Sequence, residues 1–498
     1  MLRIVVVGGG TAGWMAAAAL SSVLPRGKVG VRLVESEAIG IVGVGEATLP
    51  HIRAFNQTIG VDERAFMQAC SATFKLGIEF VGWGDEGERY IHPFGAFGRE
   101  LRGIPFHQIA LAQDPDGDFG GYSLPVVMCR EGRFAFPDAD PRSVSSTFGY
   151  AYQFDATKYA PFLRRHAEER GVRRTEGIVQ GVEQDAESGD IVALRLDSGE
   201  KVEGDFFIDC TGFRGLLIED ALEAGYERWD HWLPCDRAVA VPCKAVERIV
   251  PYTRATAREA GWQWRIPLQS RIGNGHVYSS GFTTDEEAER VLRENVEGDL
   301  LAEPRRLRFT TGRRRRFWSH NCVAVGLSGG FLEPLESTSI HLIQVAITNF
   351  IELLPIEGLG YAEERDAYNA VMAREFERVR DFLILHYKVT RRDKSAFWNY
   401  VRTMRVPDSL AEKMVLFQSS GRVAHYSQGL FLEPSWLAVY LGQGMKSERG
   451  DVRATALDRS KTQGWLTDLK ADVQGTAKGM PTHEQALAGL SPAMEAAE

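Results

Sequence analysis

The chain has 498 residues, 44% of them hydrophobic and 25% charged, with a formal net charge of −9. That size and balance suit one large or two to three ordinary globular domains with an ample core. They exclude a nucleic-acid footprint, since the charge is acidic, and a membrane span, since no 18-residue apolar run occurs.

The N-terminus is a short hydrophobic strand with an immediate glycine turn, which is not the pattern of a secretory signal. Residues 2–7 form a near-continuous apolar strand, as in a buried parallel sheet. Gly8, Gly10 and Gly13 supply G-x-G-x-x-G, with Thr11 and Ala12 between them, and an alanine-rich helix follows. VRLVESE at 31–37 reads as the next strand, and Glu35 lies about 20 residues beyond the last glycine, where a ribose-binding acid is expected. Glycines in this register let backbone N–H groups approach a pyrophosphate at a helix N-terminus. The segment therefore predicts adenine-dinucleotide binding.

IVGVGEATLP at 41–50, which includes Gly45, Glu46 and Ala47, continues as a glycine-broken loop rather than a third regular βα unit. FKLGIEFVGW at 74–83 places Lys75 among apolar residues. Read as one strand, it puts Lys75, Gly77 and Glu79 on one face. A solvated lysine is the plain reading; a desolvated one would be usable as a nucleophile or hydrogen-bond donor. Residues 191–208 alternate through a hairpin around Asp197-Ser198-Gly199 and run into DCTGFRG, so that a strand ends in D-x-x-G at Asp209. That is a feature of FAD-binding oxidoreductases. CVAVGLSGGFLEP at 322–334 is a third strand-then-glycine segment and contains Gly326. No second strand-GxGxxG-helix unit holds NAD(P)H, so the expected cofactor is FAD.

GWQWRIPL at 261–268 sets Trp262 and Trp264 two residues apart, on one face of an extended strand, with Gln263 and Arg265 on the other. Such an aromatic wall serves as core packing, an interface, or one side of an aromatic-ligand pocket. Residues 250–310 are expected to form a substrate-side sheet. Arg313 to Arg316 read as a solvated edge or, less simply, a phosphate contact. In 331–350, Ile340, Ile343, Ile347 and Phe350 give an amphipathic helix that Ser337 or Thr338 is placed to cap. Its first N–H groups, around Thr338 and Ser339, make a small anion site. Glu336, just outside, either complements the helix dipole or acts on a substrate proton. Residues from 356 to about 470 read as helical, and the Ala- and Gly-rich tail 471–498 as loosely attached. Six cysteines (Cys70, Cys129, Cys210, Cys235, Cys243 and Cys322) lack C-x-x-C spacing, so buried reduced thiols in a cytoplasmic enzyme are expected, without a metal site.

GGGTAGW (8–14), FK (74–75), DCTGFRGLL (209–217), WQWRIP (262–267), VYSS (277–280), EPLEST (333–338) and RDFLILHY (380–387) occur in an order that resembles the flavin-dependent tryptophan halogenase family. The resemblance implies an α/β fold: a Rossmann-like, flavin monooxygenase-type FAD box with a substrate-side sheet over 1–355, and a mainly helical substrate lobe over 356–498. It implies that FADH2 and O2 give a hydroperoxide that a bound halide attacks, and that the resulting hypohalous acid moves through a channel to Lys75. Lys75 then hydrogen-bonds the electrophile or is itself halogenated, and Glu336 orients it and takes the arenium proton. Thr338 and Ser339 would hold bromide or chloride. Gly8, Gly10, Thr11, Ala12, Gly13, Glu35, Gly45, Glu46, Ala47, Asp209, Gly326 and Leu335 would hold FAD. Trp262, Trp264, Ile266 and Pro267, with His92 and Phe94 from HPFG, would wall the substrate pocket and keep the aromatic away from the flavin.

Two departures stand out. Ser339 replaces the glycine that well-known members carry after S-T, and 421–436 lacks the tyrosine pair and acidic cluster that grip free tryptophan. The expectation is bromination of an electron-rich aromatic such as indole, with a separate flavin reductase as partner, in a monomer or homodimer. The competing readings are an aromatic hydroxylase on the same fold and a non-catalytic FAD-binding protein.

Overall fold

The computed structural model describes residues 1–38, 45–115, 117–246, 248–355, 361–425 and 429–490. Residues 41–44 of the expected glycine-broken loop, 426–428 and the end of the tail lie outside the described residues. The chain does not divide at 355. Two compact units are each woven from three segments: 1–72, 154–236 and 308–377 in the first; 73–153, 237–307 and 378–498 in the second.

In the first unit a six-stranded sheet runs in the order Trp318–Ser319, Cys322–Ala324, Phe206–Asp209, Leu2–Val7, Val29–Glu35, Arg173–Glu176. Every pairing is parallel except the edge strand Trp318–Ser319. Ile4 to Val7, Leu33, Val34, Phe206 to Asp209 and Cys322 to Ala324 are buried, the continuous apolar habit of a sheet covered on both faces. Val7 lies opposite both Val34 and Asp209, and Asp209 opposite Ala324. The carboxyl ends of four parallel strands thus stop level with one another, where open α/β sheets bind ligands. The expected hairpin is present: Ile191–Leu196 pairs with Lys201–Glu203 and with Val179–Gln184, and Leu194 and Val202 join the core over Phe207.

The Arg313–Arg316 run is only half a solvated edge. Arg315 and Arg316 are exposed, but Arg314 is buried. Its guanidinium donates to the Ser328 carbonyl at 2.8 Å, pairs with Glu219, and stacks 5.2 Å from the Tyr226 ring centre. Strand alternation put Arg314 on the inner face, and these partners offset its desolvation.

In the second unit the strands Arg237–Lys244, Arg271–Tyr278, Gly261–Pro267, Thr253–Arg258, Gly77–Val81 and Arg89–Pro93 lie side by side in a seven-stranded sheet. Within that series only Thr253–Arg258 beside Gly77–Val81 is a parallel pair. FKLGIEF is not one strand. Thr73–Lys75 pairs with 151–153, whereas Gly77–Val81 belongs to the large sheet. Leu76 turns the chain between them: its N–H donates to Pro251 and its carbonyl accepts from Phe94, both at 2.8 Å. Lys75 and Glu79 therefore do not share a strand face.

Helices dominate after 361, as expected: Ala362–Lys388, Ala396–Thr403, Asp408–Ser420, Glu433–Gly442 and Arg459–Lys478. The described part of the tail is not loose. Leu466, Leu469, Val473 and Ala477 make a buried stripe at three- and four-residue spacing along Arg459–Lys478, and a last helix, His483–Ala488, starts in a Thr482–Gln485 capping box. Few large apolar residues suffice because they fall on one face. Among the described residues no helix is long and apolar enough to cross a membrane, and no cluster of three or more His, Cys, Asp or Glu is placed to hold a metal.

Candidate functional site

Strand Leu2–Val7 ends in the glycine turn, and helix Thr11–Val23 begins with Gly10 as its N-cap and no side chain capping it. Each glycine answers a different demand. Gly8 has φ +113°, and a Cβ there would collide with the Cys210 carbonyl; a Cβ on Gly13 would collide with the Gly8 carbonyl. A Cβ on Gly10 would meet nothing within 4 Å, so only a ligand needs that space clear. The first-turn N–H groups of Thr11, Ala12 and Gly13 border it, with no acidic side chain among them. This cradle fits a pyrophosphate. Reduced FAD bound here would supply the two-electron oxidising chemistry with O2.

Glu35 closes the neighbouring strand with its carboxylate folded over Gly9, and it is ion-paired with Arg174 at 2.6 Å. Asp209 is fully buried and spends its oxygens on the following turn, accepting from the N–H groups of Thr211, Leu217 and Ile218 at 2.9, 2.7 and 2.8 Å. It shapes the loop rather than offering a free acceptor. Gly326, at φ +77°, lets its segment close on Ala12, 2.8 Å from where a Cβ would stand. Gly45, Glu46 and Ala47 form a short strand, and burial pushes the Glu46 carboxyl up to about 7.

Pro334–Glu336 is a single 3₁₀ turn in which Leu335 and Glu336 are buried. Ser337 follows in the left-handed region at φ +58°, a conformation that costs a non-glycine residue on the order of 1 kcal/mol or more. This turn re-aims the chain into helix Ser339–Leu353. Thr338 takes the N-cap position but does not cap with its side chain. Its hydroxyl is fully buried with no hydrogen-bond partner among the described residues, which costs roughly 1–3 kcal/mol unless a ligand supplies one. A buried orphan donor beside the helix N-terminus fits a small anion.

In the second unit Lys75 is fully buried on its short strand, with Nζ 5.1 Å from the centre of the Phe94 ring. The solvated reading of this lysine is therefore wrong. Its strand is pinned at successive residues. Thr73 donates its hydroxyl to the Pro267 carbonyl at 2.8 Å and accepts from Gln153 at 3.1 Å; Phe74 donates its N–H to His483 at 3.2 Å. Trp262 and Trp264 share a face as expected, their rings 6.2 Å apart, and Trp264 lies across Gly275, where any Cβ would strike the indole. Ile266 and Pro267 continue the same buried strand. His92 is buried with its ring 6.5 Å from Phe94, 5.7 Å from Phe382 and 6.2 Å from Phe431. Phe431 stacks on Phe382 at 3.9 Å, and Trp436 meets Phe382 edge-on at 5.3 Å.

Sequence reasoning did not place Phe382 and Phe431 around His92, Trp436 against Phe382, or Gln153 and His483 behind Lys75. FLEPSW and RDFLILHY were visible, but a lone aromatic on a helix carries no signal about which ring it will meet. The three- and four-residue spacing of 367–387 marks Phe382 as an inward-facing helix residue but not as a neighbour of His92.

A sequence profile for tryptophan halogenases matches residues 3–459. The chain is 36% identical to a tryptophan 6-halogenase, SttH, of Streptomyces toxytricini over 98% of each chain. Its structure is similar to that of Xcc4156, a flavin-dependent halogenase from Xanthomonas campestris, with a TM-score of 0.95, 46% identity and 99% of each chain covered. It is also similar to that of BrvH, a flavin-dependent halogenase from Brevundimonas sp. BAL3, with a TM-score of 0.94, 43% identity, and 98% and 99% of the two chains covered.

Proposed function

The chain belongs to the flavin-dependent tryptophan halogenase family, and from that premise we propose that it halogenates an electron-rich aromatic, indole rather than free tryptophan, and favours bromide. As a member of the family it is an enzyme that uses FADH2, O2 and halide and draws reduced flavin from a separate reductase.

The observation that carries the substrate assignment is what segment 421–436 presents. Phe431 lies against Phe382 and His92, and the segment's one acid, Glu433, is 3.3 Å from the His107 imidazole. A free amino acid brings two strongly hydrated charges, and burying them without partners costs several kcal/mol. Indole brings one N–H and an apolar face.

The residues then divide the work. Backbone N–H groups at Thr338 and Ser339, with the Thr338 hydroxyl, hold the halide at a positive helix end. Lys75, dry and held over Phe94, donates a hydrogen bond to the hypohalous acid and polarises it toward the ring. Glu336 accepts the proton that leaves the cationic ring, help worth roughly 10²–10⁴-fold. Trp262 and Trp264 wall the aromatic off from the flavin chemistry. Bromide is the easier halide to oxidise, and Ser339 puts a side chain where well-known members have hydrogen.

Incubating indole or L-tryptophan with the protein, FAD, a flavin reductase, NADH and bromide or chloride tests this by mass spectrometry. The expected result is faster bromination of indole, at C3. Faster turnover of tryptophan at a benzo-ring carbon would refute the substrate reading, and an oxygenated product formed without halide would mark a hydroxylase.

A further inference from the structure

The overall halogenation, ArH + X⁻ + O2 + FADH2 + H⁺ → ArX + FAD + 2 H2O, consumes one proton from solvent. The halide is oxidised by two electrons and O2 is reduced by four, two of them from the flavin. That proton has to reach a buried anion site, and the first turns of helix Ser339–Leu353 carry an arrangement not yet accounted for. Thr338, His341 and Gln344 recur every third residue, on neighbouring turns of one side of the helix. All three are more than nine-tenths buried, and Thr338 Oγ1, His341 Nδ1 and Gln344 Nε2 have no hydrogen-bond partner among the described residues. Three orphaned polar groups in one row do not belong to a packing interface.

His341 meets His51, the first residue of helix His51–Thr58. The ring centres are 4.7 Å apart and tilted by 56°, close enough for facing nitrogens to meet after ring rotation. His51 is exposed whereas His341 is buried, so the pair leads inward from the unit's surface to the residues beside the helix N-cap. Two helix N-termini converge on it, and their dipoles favour an anion there and disfavour a standing cation. Helix Thr11–Val23, which packs on both, has no ionisable side chain. The ionisable groups on the two histidine-bearing helices are otherwise Arg53 and, in the last turn, Glu352.

We propose that His51 and His341 form a two-imidazole relay that carries this proton to the halide site at Thr338 and Ser339, where oxygen accepts it. The proposal rests on reading Thr338–Ser339 as the halide site. As the O–X bond forms the O–O bond breaks, and His341 passes an N–H proton to the oxygen that departs with the electron pair; His51 then re-protonates His341 from solvent. Loss of water around the rings lowers the proton affinity of both, in part for the exposed His51 and down to about 3 for the buried His341, so the inner imidazole holds the proton only while an anion stands beside it. A ring that is neutral at rest and charged in transit is what a relay requires.

The test uses the FAD-loaded enzyme with a flavin reductase and bromide. It measures brominated indole, hypobromite caught by a diffusible scavenger, the bromide KM, and FAD affinity. His341→Phe, which keeps the ring volume, should lower both brominated indole and trapped hypobromite at least tenfold, with bromide KM and FAD affinity within about twofold of wild type. His51→Ala should show the same loss, and added imidazole should restore it; imidazole should not restore His341→Phe. Retention of more than half the wild-type hypobromite by His341→Phe, a loss explained wholly by bromide KM or FAD affinity, or failure of imidazole to rescue His51→Ala would overturn the relay. Lys75→Ala separates this from the wider reading, since it should lose brominated indole yet keep hypobromite. If it keeps brominated indole, the assignment of Lys75 fails while the histidine result stands.

Discussion

His483 accepts the backbone N–H of Phe74, the residue before Lys75, across 409 positions of sequence. The other ring nitrogen lies 2.9 Å from the Ile249 carbonyl, so Nδ1 carries the proton and Nε2 is the acceptor. A helix near the C-terminus thereby fixes the strand that presents Lys75.

His483→Ala should therefore leave a buried N–H without a partner and cost about 1–3 kcal/mol of stability. Chemical denaturation measures the loss. Product formation should fall with it even at temperatures where the variant is fully folded, and His483→Gln, which keeps an acceptor, should recover part of the activity. Unchanged stability in the alanine variant would remove His483 from this role.

Burial also holds His483 and His276 down to about 4. Between about pH 6.5 and 4 the unfolded chain takes up protons at these histidines while the folded one does not. Their contribution to stability is thus complete above that window and is lost as pH falls through it, on the order of 3 kcal/mol each. Melting temperature should drop between pH 7 and 4.5, and less steeply in His483→Gln. An equal slope in the two proteins would contradict the assignment.

Lys75→Ala should reduce aromatic halogenation at least a hundredfold and leave FAD affinity within about twofold, because the lysine acts after halide oxidation. Flavin fluorescence and product analysis separate the two effects. Half the wild-type rate would rule the role out.

Glu336→Gln should slow turnover by at least about two orders of magnitude, the lower end of general-base assistance, with FAD still bound. Loss of FAD instead would assign the glutamate to shaping the turn before Ser337.

Gly10→Ala should fold with normal stability, since its Cβ meets no protein atom within 4 Å, but bind FAD at least tenfold more weakly. Gly13→Ala should destabilise the fold itself, because its Cβ strikes the Gly8 carbonyl. Equal FAD affinity in Gly10→Ala and wild type, measured by titration, would remove the pyrophosphate from this turn.

What the sequence determined by itself is whatever short-range periodicity and backbone chemistry fix: the glycine turn after Val7, the hairpin over 191–203, the shared face of Trp262 and Trp264, and the helix that starts at Ser339. Each depends on neighbours within a few residues, so the pattern is written locally. Tertiary structure alone decided which polar groups lost their water. Lys75 and Arg314 each looked like a solvated charge, and both are buried. Lys75 gained its setting from Phe94 and from a strand held by residues 153, 267 and 483, and Arg314 from Glu219, Ser328 and Tyr226. Thr338 took the expected cap position yet left its hydroxyl unspent, and His51 found His341 nearly three hundred residues away. Burial is a sum over partners brought together by long-range packing, and no window of sequence contains those partners.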